Sequence, residues 1–250
     1  WGPMYDEAIC TTIQTSSGEQ INIPTVDDTS VVVVKHTEGT ALTDDGGSDA
    51  TFGTKALNAY VFDTEFIRWS MELAQDSIFS MEALLGELLG ERLGRRANTE
   101  LTTGDGTGDP NGIVVASSLG VTAAGTAAIT ADELIDLQHS VDPAYRMSPK
   151  CRWMFNDGTL KLIRKLKDGQ GQYLWDPGLS GTPGPSLLGK PYSINQAMPA
   201  ATTGLKSIVF GDFGKYYVRK VGAPMVGVMR ERFWPDLGIA GLIRLDGELG

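Results

Sequence analysis

The chain has 250 residues, 41% of them hydrophobic, enough to bury the core of one large domain or two joined ones. No apolar run approaches the roughly 20 residues of a membrane span, so a folded, soluble protein with no membrane partner is expected. A formal charge of −10 excludes a surface that attracts nucleic acid as a whole, because neutralising phosphates takes clustered Lys and Arg.

The chain opens on Trp1-Gly2-Pro3-Met4, without an initiator methionine and without the charged-then-apolar order of a signal peptide. It is expected to begin at a processing site or an expression boundary. From residue 21 to 56 the composition shifts. The strand-forming run Val31-Val32-Val33-Val34 leads toward Asp44-Asp45-Gly46-Gly47-Ser48-Asp49, which predicts a long hairpin with an acidic tip. Its return arm is placed at 54–69, where apolar and polar residues partly alternate. Such an arm can leave the globule and lie on a neighbour, although an ordinary surface hairpin reads the same way.

The clearest helix is predicted over 77–101, with Asp76 as N-cap and Ile78, Met81, Leu85, Leu88 and Leu89 as its apolar stripe. Glu82, Glu87 and Glu91 come early and Arg92, Arg95 and Arg96 late, the order that complements the helix dipole. Gly86, Gly90 and Gly94 share one side, each at about 1 kcal/mol of propensity relative to Ala, and predict close packing there, most simply by a crossing strand of the same molecule. Glycine and Pro110 in 103–112 end the helix. Amphipathic helices are predicted at 132–141 and 157–167, with a buried strand at 151–155 between them, hence a mixed α+β fold. Residues 169–189 read as a long irregular loop, and strands follow at 192–195, 207–210, 216–221, 225–230 and 239–245.

Motifs that carry chemistry are not found. Gly104-Asp105-Gly106-Thr107-Gly108 follows a helix instead of opening one and lacks a Gly-Lys-Ser/Thr ending, so no nucleotide site is expected. Asp105 and Asp109 lack the ligand spacing of a calcium loop, and His36 and His139 do not form a metal cluster. Cys10 and Cys151 lie far apart outside any Cys-x-x-Cys pattern and are expected to be reduced thiols. The basic run Lys161, Arg164, Lys165 and Lys167 reads as a solvated helix face. No cofactor, no metal and no enzyme activity are expected; the enzymatic reading left over is a hydrolase built from carboxylates or serines in no standard motif.

Three stretches together point further. The first is Phe66-Ile67-Arg68-Trp69-Ser70 after the arm, with the helix that runs into Thr103-Gly104-Asp105-Gly106-Thr107-Gly108-Asp109-Pro110-Asn111-Gly112-Ile113. The second runs from Asn156-Asp157 through Leu166-Lys167-Asp168-Gly169-Gln170-Gly171-Gln172-Tyr173-Leu174. The third is Leu187-Leu188-Gly189-Lys190-Pro191-Tyr192, followed by Phe210-Gly211-Asp212-Phe213. In this order they resemble the Hong Kong 97-type major capsid proteins of tailed bacteriophages and prophages.

The resemblance implies an α+β Hong Kong 97-type fold. Residues 27–56 would be the extended β-hairpin loop, 113–224 the axial domain, and 1–26, 57–112 and 225–250 the peripheral domain with its spine helix at about 77–101. Subunit contacts are implied at Glu38, Asp44, Asp45, Arg68 and Trp69, and near three-fold contacts at Arg230, Arg232, Trp234 and Asp236, where Arg and Trp suit the role of anchors. Implied partners are other copies in pentamers and hexamers, a portal, a scaffold or maturation protease, decoration proteins, and packaged double-stranded DNA bound without sequence specificity. The implied location is the virion capsid, assembled in the host cytoplasm. An encapsulin-like nanocompartment shell protein is the alternative, sharing the fold but enclosing enzyme cargo. The sequence departs from the family where Gly39-Thr40-Ala41-Leu42-Thr43-Asp44 lacks the lysine that some members use for cross-linking, leaving Lys35 as a weak substitute. A further short strand is also implied beyond Asp246-Gly247-Glu248-Leu249-Gly250, so a truncated subunit, missing an N-terminal arm as well, is expected.

Overall fold

A computed structural model describes all residues of the chain except 1, 27–32, 34, 43–48, 79, 127 and 175–185. After a 3-10 turn at Pro3–Tyr5 come β1 (Thr11–Thr15), β2 (Ile21–Val26), β3 (Phe52–Leu57), β4 (Tyr60–Asp63) and β5 (Ile67–Trp69). The helices α1 (Met71–Asp76), α2 (Met81–Thr103), α3 (Ile113–Ala116), α4 (Ala131–His139) and α5 (Pro143–Arg146) follow, then β6 (Cys151–Phe155) and α6 (Asp157–Arg164). The chain closes with β7 (Ser186–Leu187), β8 (Lys190–Ile194), β9 (Ile208–Asp212), β10 (Tyr216–Val221), β11 (Met225–Met229) and β12 (Leu237–Leu249). The architecture is the expected α+β.

Helix starts follow local capping chemistry. Ser80 accepts from the Ala83 N–H at the head of α2, Thr130 and Glu133 form a reciprocal capping box on α4, and Asn156 accepts from Thr159 N–H on α6. The long helix therefore begins at Met81, not at 77, and its N-cap is Ser80; Asp76 instead ends α1. Ser77 and Ser80 are extended, which breaks the helix between them, and Ile78 is 97% exposed where a place on the apolar stripe was expected. The buried stripe is Leu85, Leu89, Leu93, Ala97 and Leu101, one residue per turn. Of the three helix glycines only Gly94 is buried; a Cβ on Gly86 or Gly90 would meet nothing within 4 Å, so among the described residues no strand crosses there.

A six-stranded sheet runs β1-β10-β12-β11, with β4 and β5 each pairing with part of β12. Strand β12 is the long centre, and α2 packs on it through Leu89 and Leu93, which face Gly241. A four-stranded sheet, β7-β8-β6-β9, forms the second layer system. The two-residue period of β6 divides two cores. Trp153 and Phe155 join Leu134 of α4, Leu160 and Ile163 of α6 and Phe210, whereas Met154 turns to the core containing Leu93, Ala97, Leu101, Val218, Ile243 and Leu245. A third cluster, Trp69, Leu85, Leu89, Leu237 and Ile239, closes the other end of α2.

A buried polar network ties the layers together. The Asn98 amide of α2 donates to Asn195 Oδ1 at 2.7 Å, Asn195 Nδ2 donates to Thr102 Oγ1 at 2.8 Å, and Met4 N–H donates to Asn98 Oδ1 at 3.2 Å. With their partners in reach, these polar groups lose little by leaving water.

The predicted hairpin is present as a two-stranded ladder, β2 against β3, in register from Ile21 with Leu57 to Val26 with Phe52. Of the valine run only Val33 is described, and it lies outside any strand; the tip with Asp44 and Asp45 lies outside the described residues. The return arm is not one strand. It breaks at Asn58-Ala59 and at Thr64-Glu65-Phe66 into β3, β4 and β5, the last two being recruited by β12.

Candidate functional site

Among the described residues the hairpin has no third strand, so its attachment to the body decides where it points. Both of its legs meet Arg219, a fully buried residue of β10. Its Nε donates to Thr15 Oγ1 at 3.1 Å and Nη2 to the Ser17 carbonyl at 2.9 Å on the outgoing leg, while Nη1 donates to the carbonyls of Leu57 and Asn58, both at 2.9 Å, on the returning leg. Opposite Arg219 in the β10–β12 register stands Asp246, whose Oδ2 accepts from the Asn58 N–H and Oδ1 from the Gly247 N–H at 2.7 Å. Burial pushes the Asp246 carboxyl up to about 6, outweighing the two N–H bonds that favour its charged form, and burial lowers Arg219. Nearby, Glu248 pairs with Lys55 of β3 at 3.0 Å and accepts from Asn111 Nδ2 at 3.1 Å, which links the arm to the loop after α2.

The second feature is the face of the six-stranded sheet turned away from α2. Because Gly241 faces the helix, alternation directs Ala240, Leu242 and Gly238 to the opposite side, in register with Gly227, Met225 and Arg68. There the Phe233 ring covers Gly238 so closely that a Cβ would stand 2.5 Å from it. Phe66 meets Phe233 edge-on at 5.2 Å, Arg68 lies 5.5 Å from the Phe233 centroid, and Arg232 lies 5.3 Å from the Phe66 centroid and 5.5 Å from that of Phe233. A shallow hollow of about 520 Å³ adjoins this cluster, lined by Asp63, Phe66, Met225, Ala240 and Leu242 among others. Edge strand β11 is exposed along its whole length, and Trp234 is 73% exposed.

Two stretches singled out in the sequence, 66–70 and 230–236, thus come together, joined by β5–β12 pairing. Arg68 and Arg232 meet on the aromatic pair, and the Asp236 N–H closes the turn onto the Phe233 carbonyl at 2.7 Å. Arg230 reaches α2 instead, pairing with Glu82 at 3.2 Å. Trp69 points the other way: side chains alternate along β5, so Arg68 faces out while Trp69 is buried in the subunit's own core. Glu38 is exposed on a turn closed by Thr40 onto the Thr37 carbonyl. Phe66 and Phe233, the rings that orient both arginines, were missed; a Phe within two residues of each Arg was the available signal.

A groove of about 1210 Å³ opens between Pro24-Thr25-Val26 at the arm and the segments 117–126 and 201–206. Among the described residues no three His, Cys, Asp or Glu side chains are grouped to hold a metal ion, and no helix is long and apolar enough to cross a membrane. Cys10 and Cys151 are free and buried, and burial pushes both thiols up, Cys10 to about 12, which keeps them protonated.

The sequence profile of the phage capsid family matches residues 6–249. No curated protein matches the chain. Among solved structures it is similar to the capsid of a native GTA particle, with a TM-score of 0.83 at 21% identity over 97% of this chain and 84% of the other. It is also similar to structures from Microbacterium phage Oxtober96, TM-score 0.71 at 14% identity over 100% and 85%, and Mycobacterium phage Adephagia, TM-score 0.70 at 12% identity over 100% and 84%. At such identities these likenesses speak for the fold.

Proposed function

The chain belongs to the phage capsid family and is a major capsid protein of the Hong Kong 97 type, and from that premise we propose that its copies close into pentamers and hexamers of an icosahedral head enclosing double-stranded DNA. The observation that carries the proposal is a family match over nearly the whole chain, joined to a fold shared over its full length. Closed rings need heterologous contacts, a surface of one copy on a different surface of the next. The arm and the exposed face around Phe233, Arg68, Arg232 and Trp234 are a pair of surfaces suited to that demand.

Within this reading residues 27–56 form the extended loop, 113–224 the axial domain and the remainder the peripheral domain. The pairing of β10 with β12 supports one adjustment, in which β10 travels with the peripheral sheet. Interface roles for Glu38, Asp44, Asp45, Arg68, Arg230, Arg232, Trp234 and Asp236 belong to the same proposal; the burial of Trp69 supports a positioning role for it instead. The head is assembled in the host cytoplasm, with a portal, a scaffold or maturation protease and decoration proteins as further partners, and the subunit acts structurally, without catalysis. The phage family match gives no support to the encapsulin-like alternative.

The test is electron microscopy of the expressed protein after size-exclusion separation of particles from free subunits. Closed shells are expected, and deletion of residues 38–49 is expected to abolish them while the free subunit keeps its circular dichroism spectrum. Normal shells from the deletion would sink the role given to the arm.

A further inference from the structure

A two-stranded hairpin is marginal by itself, so the direction of the arm depends on what holds its root. Here the legs enter and leave through irregular backbone at residues 16–20 and 58–59, where carbonyls freed from strand pairing need donors. Arg219 supplies them to both legs at once, and its planar fork is the reason a single side chain can. Asn58, the first residue after β3, is held from both sides, its carbonyl by Arg219 and its N–H by Asp246. Its side chain also donates to the Tyr60 hydroxyl at 3.2 Å, so three contacts converge on the joint between the arm and β4.

We propose that Arg219 and Asp246 are positioning residues for the arm: by gripping Asn58 from both sides and the outgoing leg at Thr15 and Ser17, they set the angle at which the hairpin leaves the subunit. That angle fixes the arm's reach onto a neighbouring copy, so this inference rests on the shell-subunit reading. The grip contains a titrating group. The Asp246 carboxyl, raised to about 6, changes charge in the neutral to mildly acidic range, and the groups around it are Arg219 and Tyr216 on β10, Arg244 and Glu248 on β12, Lys55 on β3 and Tyr60 on β4. A purely packing role in the core has no reason to place a carboxylate on the N–H of a joint residue.

Hydrogen exchange read by mass spectrometry on the free chain tests the grip without any need for assembly. In Asp246→Ala, which removes the acceptor, and in Arg219→Lys, residues 52–60 are expected to exchange about tenfold faster than in the parent, while 151–155 and 208–212 keep their protection. In the parent, protection at 52–60 rises between pH 7 and pH 5 once intrinsic exchange is corrected, and Asp246→Asn removes that rise. Unchanged exchange at 52–60, or loss spread equally over 151–155, overturns the proposal. Should Arg219→Lys fail to fold, Asp246→Ala and the lost pH response of the near-isosteric Asp246→Asn decide. Electron microscopy then asks for consequence: few or misshapen shells are expected from the loosened variant, and normal ones overturn the proposal. A parent chain that makes no shells under any condition counts against the capsid reading, and the exchange result still decides the grip.

Discussion

The Tyr216 hydroxyl donates to the carbonyl of Asn111 at 2.8 Å and lies 3.2 Å from that of Leu101, joining the start of β10 to the last turn of α2 and to the glycine-aspartate loop after it. Burial raises the phenol well above its ordinary value, so it remains a neutral donor at any working pH. The loop is fastened from its other side as well, since the Asn111 N–H donates to the Gly247 carbonyl at 2.9 Å. The glycine-aspartate segment that ends the helix is thereby a structural joint between helix and sheet.

Tyr216→Phe keeps the ring and removes the donor. It is expected to cost about 1–2 kcal/mol, because the Asn111 carbonyl loses its donor at a largely buried site. Urea denaturation of the free subunit checks this, and an unchanged midpoint would show that the hydroxyl contributes nothing net.

Asn195→Ala removes the acceptor for Asn98 Nδ2 and for the Ala197 N–H, and the donor to Thr102 Oγ1. The orphaned Asn98 amide stays buried, so the expected loss is about 2–3 kcal/mol, larger than for Tyr216→Phe. The same denaturation experiment ranks the two; the reverse order would contradict the network as drawn.

How far the sequence revealed this molecule depends on whether a signal was local. The strands at 151–155 and 216–221 emerge as read, because each is a short run rich in apolar and aromatic residues bounded by turn residues. The end of β12 was unreadable: Asp246-Gly247-Glu248 has the composition of a turn, yet it continues a 13-residue strand because Arg219, Asn58 and Tyr216 from elsewhere in the chain take up its polar groups and cover it. Likewise β1 is short and polar and exists through parallel pairing with β10, a contact with no local trace. The grip on the arm escaped notice for that reason too, since Thr15, Asn58, Arg219 and Asp246 are scattered over the chain and none sits in a motif.

The Asp246 carboxyl makes the subunit's stability depend on pH with a definite sign. Its folded value, about 6, lies above the ordinary 3.8, so between these values the folded chain holds more protons than the unfolded one. Stability from this group is full below about pH 4 and is lost as pH rises through about 6, a difference of about 3 kcal/mol. Comparing parent and Asp246→Asn by denaturation at pH 4, 5, 6 and 7 isolates it from the other carboxylates. Asn stands in for the neutral acid, so the two curves should lie closest at pH 4 and separate toward pH 7 with the parent the less stable, and parallel curves would refute the assignment.

Trp234 projects from the turn beside the Arg68 and Arg232 cluster without covering a core. Trp234→Ala is therefore expected to leave the denaturation midpoint of the free subunit within about 0.5 kcal/mol of the parent, while lowering the yield of shells. A large loss of subunit stability would mean that the indole packs on its own chain.

Gly86 and Gly90 present a last contrast. A Cβ at either position meets nothing of the subunit within 4 Å, so alanine there gains helix propensity at no steric cost. Gly86→Ala and Gly90→Ala are each expected to stabilise the free subunit by about 1 kcal/mol. Gly94 lies on the same side but is buried, where added volume is commonly destabilising, so Gly94→Ala is expected to destabilise by about 1–3 kcal/mol. Denaturation midpoints of the three variants decide between two causes for the repeat. A shared gain would remove packing within the subunit as the reason for any of the three glycines, whereas the expected split assigns that reason to Gly94 alone.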